Sequence, residues 1–193
     1  MKVTDFQGPA LILKKEVLDL YIHDLNKPIK KIITELPIDI RTLKQPIELE
    51  NVSASRVTQH IASKQNAFVA SYRAKPVGYL FATISRCRVG EIHDFLMVAP
   101  QEVYLFNAYV YRMFRGKRIY RALITHAAQY YKDKSFTKAL IFTAQNNTTS
   151  ISGIEKAGFK CYGSVHFSNV LGRKSWKYSR RTSDSQSYFI HEV

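Results

Sequence analysis

Acidic residues are scarce in this chain. Its 193 residues hold 15 Asp and Glu against 29 Lys and Arg, a formal net charge of +14. A field of that sign favours polyanions, anionic lipid, acidic proteins or phosphorylated ligands, although a generally basic surface gives the same count. Cysteine is scarcer still. Cys87 and Cys161 lie far apart in the chain, which excludes a disulfide framework and matches no metal-ligand spacing, so no metal is expected. Long apolar runs are missing, which excludes a membrane-spanning helix. The opening MKVTDFQGPALILKKEVLDL has a short apolar patch followed by charges. No secretory signal is read there, and a soluble cytoplasmic protein is expected, with peripheral membrane contact left open. Neither G-x-x-x-x-G-K-[ST] nor G-x-G-x-x-G occurs, so the common phosphate-binding loops are excluded. Repeats and low-complexity runs are absent too.

What remains is a chain with 46% apolar residues, enough for the core of one ordinary domain. Residues 11–25 read as a strand, a hairpin or a short helix, and 26–37, with two prolines, as a connection. Residues 38–44 alternate like a half-buried strand. Residues 53–64 start a helix capped by Ser53 or Ser55. Two β-rich runs in 67–84 flank Ala74-Lys75-Pro76 and predict a hairpin. Residues 91–100 are an apolar strand candidate, and 102–114 suit a strand buried on both faces. Then the period changes. Ile119, Ala122, Leu123, His126, Ala127 and Tyr130 share one helical face, with Arg118, Arg121, Thr125, Gln129 and Lys132 opposite. That helix is expected to run to about Lys134. A buried strand (138–144), a helix (147–157) stopped by Gly158 and two strands (159–167 and 173–179) follow, before a tail expected to be mobile. The order describes an α/β domain with a mixed sheet.

The start of the central helix is peculiar. In MFRGKRIYRAL, residues 113–123, four cations surround Gly116. Most helices cover their unpaired first N–H groups with Ser, Thr, Asp or Asn; none is present here. Cations at this end also oppose the macrodipole, by about 0.3–1 kcal/mol each. An anion removes both faults. It accepts from the N–H groups, Gly116 lets backbone approach it, and the arginines neutralise it. The alternative is that water caps the helix and the side chains fan outward. A phosphate or pyrophosphate site over residues 114–120 is the expectation.

The same residues resemble a known signature. VYRMFRGKRIYRALI (110–124) is similar to the acyl-coenzyme A motif of the GNAT N-acyltransferases, V-x-P-x-[YF]-R-G-x-G-[IL]-[GY]-x-x-L-[LI]. NNTTSISGIEKAGF (146–159) resembles the family's downstream N-x-x-[AS]-x-x-x-[YI]-E-K-x-G-F, and PVGYLFA (76–82) is similar to the preceding hairpin. The likeness covers about residues 66–165, with a weaker extension through 36–43. It departs at Arg118, where Gly or Ala is usual, at Tyr120, often Gly, and at Ile154, where many members place a Tyr that protonates the departing thiolate.

The resemblance implies a GNAT-like, mostly antiparallel central sheet flanked by helices and splayed at the coenzyme strand. It implies an N-terminal extension (1–35), an acyltransferase domain (36–180) and a C-terminal tail (181–193). The co-substrate it implies is acetyl-CoA or another acyl-CoA, with no metal. N–H groups of Arg115, Gly116, Lys117, Arg118, Ile119 and Tyr120 would hold the pyrophosphate. Backbone from Ala108 through Tyr109 and Val110 to Tyr111 would pair with the pantetheine arm, and Asn147 would reach that arm. Arg118 would either fold over the pyrophosphate or crowd it. The acceptor would be a small-molecule or peptide amine attacking the thioester directly, with Val110 N–H at the carbonyl oxygen. Glu102 and His93, which flank the signature strand, are the candidate bases. Asn107 and Tyr109 are expected to share one strand face and line the acceptor groove. His126 is expected to pack inside the central helix, and Trp176 to be a core or groove aromatic. Two further readings stay open. One is an acyltransferase that uses an acidic acyl carrier protein or acts at a membrane surface. The other is a nucleic-acid binder using the basic, aromatic-laced 172–181.

Overall fold

The structure, a computed structural model, describes residues 13–181 and 188–189. In chain order its elements are β1 (Leu13–Asp24), β2 (Asp39–Thr42), α1 (Ala54–Ala62), β3 (Asn66–Tyr72), β4 (Lys75–Thr83), β5 (Cys87–Val89), β6 (Asp94–Leu96), β7 (Glu102–Val110), α2 (Ile119–Lys132), β8 (Lys138–Ala144), α3 (Thr148–Lys156), β9 (Lys160–Val170) and β10 (Arg173–Arg180). Eight strands form one sheet in the order β10-β9-β1-β8-β7-β4-β3-β2, and β5 and β6 form a separate hairpin. Every neighbouring pair is antiparallel except β7 and β8. The sheet is thus mixed and mostly antiparallel, with helices against it.

Three apolar clusters show how the layers lie. One face carries Phe68, Leu80, Val103, Leu105 and Ile141, packed under Ile119, Leu123 and Ala127 of α2 and Ile154 of α3. On the other face Val69, Tyr79 and Phe81 lie under Val57 of α1. Further along, Leu18, Leu20, Tyr104 and Leu140 lie under Val89, Ile92 and Leu96 of the β5–β6 hairpin and under Tyr188 and Phe189. Two half-buried hydrogen bonds pin that hairpin to β10. Trp176 Nε1 donates to Ile92 O at 2.8 Å, and Tyr178 Oη donates to the Asp94 carboxylate at 2.8 Å.

Several expectations need correction. Of the alternatives open for residues 11–25, a strand, a hairpin or a short helix, the strand is found: β1 is inserted between β8 and β9, inside the main sheet. The tail reading fails for Tyr188 and Phe189, which are buried; Met97 N donates to Tyr188 O at 2.7 Å. Residues 182–187 and 190–193 of that expected tail lie outside the described residues. The first hairpin turns at Arg73-Ala74, both with positive φ (49° and 63°), because the right-handed twist of its strands selects that turn; Pro76 already lies in β4. In α2 the apolar stripe is rotated by one position from the expected one. Thr125 is buried with its hydroxyl donating to Arg121 O at 2.9 Å, and His126 is exposed. A threonine that satisfies its own hydroxyl on the preceding turn can enter a core. α1 begins at Ser53, whose Oγ accepts from Arg56 N.

If β1 is a load on the core rather than an extension, Leu20→Ala is expected to cost about 2–5 kcal/mol. The side chain is 3% exposed between β8 and β9. Urea denaturation measures this; a cost below about 0.5 kcal/mol, the size of a surface change, would return the segment to an appendage.

Candidate functional site

β7 and β8 are registered only from Glu102↔Lys138 to Leu105↔Ile141. Beyond that the two strands part. β7 is bent there by a bulge: between Tyr79↔Tyr109 and Phe81↔Phe106, Leu80 alone of β4 faces both Asn107 and Ala108. Asn107 carries the bulge with φ 48°, a conformation its short amide tolerates better than most side chains. Tyr111 N then donates to Val77 O on β4 at 3.0 Å. N–H groups alternate sides along a strand, so Val110 N–H is directed the other way, into the gap.

After β7 comes a short 3-10 turn, Arg112–Phe114. Arg115 is extended, Gly116 has φ 79° and Arg118 has φ 64°, and α2 starts at Ile119 with no side-chain cap and no acid in its first turn. Arg115 is braced: its Nε donates to Val110 O at 3.1 Å and its guanidinium lies 5.4 Å from the Tyr109 ring centre. A cavity of about 460 Å³ opens here, lined by Ala108, Val110, Arg115, Gly116, Tyr120 and Asn147 among others. Asn147 caps α3, its Oδ1 accepting from Ser150 N at 3.1 Å.

A second cavity, about 290 Å³, continues through the split. Its walls include Tyr120, Asn147 and Ser150 on the helix side and Glu16, Leu18, Val89, Glu91 and Phe142 on the hairpin side. Glu16 is delivered by β1 and Glu91 by the turn between β5 and β6. Lys14 steadies that turn, Nζ donating to Glu91 O at 2.9 Å. Ala108, Tyr120, Asn147 and Ser150 line both cavities.

The sequence model of the Acetyltransferase (GNAT) family matches residues 34–159. The chain belongs to this family. Structural likeness points to the same fold. A GCN5-related N-acetyltransferase from Sphaerobacter thermophilus superposes with TM-score 0.58 at 13% identity, over 89% of this chain and 54% of the other. A Drosophila structure superposes with TM-score 0.58 at 9% identity, over 83% and 52%. A GNAT-family structure from Novosphingobium aromaticivorans gives 0.53 at 12% identity, over 94% and 72%. The chain thus spans about half the length of the first two. Curated proteins yielded no match.

Within this GNAT domain the expected site residues divide. Asn107, Ala108, Tyr109, Val110, Arg115, Gly116, Tyr120 and Asn147 line the two cavities. Ile119 is in the core, Lys117 O accepts from Glu35 N at 3.4 Å, and Tyr111 Oη accepts from Glu50 N at 3.0 Å. Arg118 turns away from the cavity towards Glu35, Nε to Oε1 3.8 Å. Because of the bulge, Asn107 and Tyr109 do not share one groove. Asn107 lines the inner cavity and Tyr109 the outer, its Oη donating to Glu50 Oε1 at 2.8 Å. Glu102 sits at the far end of β7. Its carboxylate accepts from Ala99 N at 3.1 Å and Tyr188 Oη at 3.2 Å and meets Lys138 Nζ at 3.5 Å. His93 packs against Phe167, rings 5.4 Å apart, with its pKa lowered by desolvation and by Lys174, Lys14 and Arg88. Neither lines either of these two cavities. Asp94, next to His93, is buried and accepts from Tyr178 Oη at 2.8 Å. Glu16, Glu91 and Thr143 went unforeseen, since each reaches the split through strand pairing or a turn far along the chain, and Ser150, in the first turn of α3 beside Asn147, went unforeseen too. Among the described residues no helix is long and apolar enough to cross a membrane, and no cluster of acidic, His or Cys side chains could hold a metal.

The left-handed backbone at Arg118 carries a cost that glycine avoids, and its ion pair with Glu35 is exposed and weak. Arg118→Gly is therefore expected to raise stability by about 0.5–1 kcal/mol, net of glycine's extra chain entropy. Thermal unfolding measures it; a lower midpoint would show that the Glu35 contact outweighs the strain.

Proposed function

We propose that this chain is an acyl-CoA-dependent N-acyltransferase that moves an acetyl group to a primary amine on a cationic small molecule or peptide. The observation that carries this reading is that two cavities of opposite charge meet at the split, where they share four lining residues. The outer one has an uncapped helix start and cations suited to a pyrophosphate. The inner one has two carboxylates, in a chain with few, suited to an ammonium group.

In the proposed mechanism the N–H groups of residues 115–120 hold the pyrophosphate, and the edge of β7 from Ala108 to Tyr111 pairs with the pantetheine arm. The Asn147 side chain borders that path. Val110 N–H faces the thioester oxygen and stabilises the charge that develops on it. Glu16 and Glu91 draw in the protonated acceptor, and a carboxylate or a water beside it removes the proton, since only the neutral amine attacks. The amine nitrogen bonds to the thioester carbon, the C–S bond breaks, and amide and coenzyme A leave. His93 and Glu102 are given no part in this scheme, because their side chains are held elsewhere.

Acetyl-CoA at 100 times its Kd is expected to raise the melting temperature by about 5 °C or more. A Cβ at Gly116 meets no atom within 4 Å, so Gly116→Glu changes charge rather than packing. It is expected to abolish the shift, whereas Gly116→Asn, which shares the backbone strain, keeps it. An undiminished shift in Gly116→Glu would refute the pocket. With acetyl-CoA and a panel of amines, thiol release is expected to be faster with polycationic acceptors than with neutral ones. Glu16→Gln with Glu91→Gln is expected to raise the acceptor KM by about tenfold, the effect of some 1.4 kcal/mol, and to leave the coenzyme shift alone. Equal KM values would remove the carboxylates from acceptor binding.

A further inference from the structure

A third cavity, about 500 Å³, opens alongside α2 and shares no lining residue with either cavity at the split. One stripe of α2 borders it: Ala122, Thr125, His126 and Gln129, spaced as neighbours on a helix. Ile29 and Ile32 come from the connection between β1 and β2, and Ile38 and Ile40 from the entry and body of β2. The volume falls within the range of about 300–1,000 Å³ typical of pockets that hold small organic molecules.

The path of the chain explains why space is left there. The connection runs antiparallel to α2 and is tied near both of its ends. Lys132 Nζ donates to Lys27 O at 2.7 Å, and Glu35 N donates to Lys117 O at 3.4 Å. In between, residues 28–33 make no backbone hydrogen bond among the described residues. All four isoleucines are only half-buried, so the fold leaves this aliphatic wall partly uncovered. The polar side chains of the lining are mostly spent. Thr125 Oγ1 donates to Arg121 O at 2.9 Å, Thr34 Oγ1 to Leu36 O at 2.6 Å and Gln129 Nε2 to Asp133 at 2.7 Å. Asp39 is paired with Arg41. His126 packs edge-on against Phe68, ring centres 5.9 Å apart. Lys30 and Lys31 remain, both exposed and in no ion pair among the described residues.

We propose that this cavity binds a free aliphatic monocarboxylate of medium chain length, its chain among the four isoleucines and its carboxylate at Lys30 and Lys31. The lining sets that chemistry. Aliphatic walls reward buried methylenes, each worth about fourfold in affinity. A ligand rich in hydroxyls or amides would find few partners for them and lose affinity for each one left unpaired. A peptide segment fits poorly for the same reason, since its backbone N–H and C=O groups need partners that these walls do not offer. The head group is chosen by charge. With Asp39 held by Arg41, the two free lysines dominate the rim, in a chain whose net charge is +14. A negative head is drawn to them and a positive one repelled. Nothing in this proposal depends on acyl transfer, and no coenzyme is needed to test it.

Calorimetric titration of the full chain with decanoate, at neutral pH and below its micelle concentration, tests this. One molecule per chain is expected, with a Kd of about 10–100 μM, the order reached by a ligand this small. Octanoate, two methylenes shorter, is expected to bind about tenfold more weakly. Decyltrimethylammonium, with the same chain and the opposite charge, is expected to bind more weakly still. Lys30→Glu with Lys31→Glu changes two exposed side chains and is expected to weaken decanoate by about tenfold or more. Ile32→Glu, which sets a like charge against the ligand's own, is expected to abolish binding. Gly116→Glu alters the outer cavity at the split and is expected to leave decanoate binding unchanged, so this site and the acyl-transfer reading stand or fall separately. No saturable binding to the wild-type chain, as when a terminal segment or a second copy covers the cleft, would overturn the inference. Equal binding of decyltrimethylammonium, several molecules per chain, or an affinity indifferent to the two lysines would do the same. Loss of binding in Gly116→Glu would overturn it too, by moving the decanoate to the split.

Discussion

The pairing of β7 with β8 stops after Leu105 and Ile141, and the rest of the site depends on that stop. A parallel pair that parts inside a sheet leaves N–H and C=O groups facing each other across a gap. The bulge at Asn107 and Ala108 fixes where the gap opens and turns β7 away from its neighbour. The helices after β7 and β8 follow from the same divergence. α2 and α3 begin at the wide end of the gap, so two helix starts converge on it, one capped by Asn147 and one bare. Filling the gap with protein would satisfy the backbone and close the sheet. Left open, the gap could take the extended ligand proposed above, which can pair as a strand does.

Charge acts on that opening in two opposite ways. The loop before α2 gathers cations where the helix dipole is already positive, an arrangement that stabilises nothing in the free chain. Part of the strain is visible. Arg118 holds a left-handed backbone, and Arg115 needs both the Val110 carbonyl and the Tyr109 ring to hold it. On the far side of the split the sign reverses. Glu16 and Glu91 stand at the inner cavity of a chain whose net charge is +14. An anion on one side and a cation on the other would each find the complementary field, and Ala108, Tyr120, Asn147 and Ser150 line both cavities.

How much of this could be read from sequence varied with the range of the interactions. The loop and bare helix start before α2 were legible because they are local. Residues 106–120 form one strand, one turn and one helix start, and their chemistry is carried largely by backbone, which composition and spacing reveal. The Ser53 cap and the helix before Gly158 were legible for the same reason. The role of β1 was not. Its central place depends on pairing with β8 and β9, more than a hundred residues away, and nothing in residues 13–24 encodes those partners. Thr125 and His126 exchanged faces because hydropathy ranks a threonine as polar even where its hydroxyl is satisfied on the preceding turn. Glu102 and His93 were attractive as ionisable neighbours of the signature strand. The end of β7 that holds Glu102, however, is the end still zipped to β8.

The same contrast bears on how the two sides of such a site are built. The proposed coenzyme side would need a gap, a bare helix start and a few cations, and a single stretch of chain supplies all three. The proposed acceptor side is lined from β1, from the turn of the β5–β6 hairpin and from the edges of β7 and β8. The hairpin is held in turn by Trp176 and Tyr178 of β10. Each carboxylate therefore owes its position to strands far away in sequence, and a one-residue slip of β1 against β8 would turn Glu16 to the opposite face. On the proposed reading, recognition of the coenzyme would be set by local backbone geometry, and recognition of the acceptor by the register of the whole sheet. Tyr120, which lines both cavities, belongs to the local stretch yet lies against Gly153 of another helix.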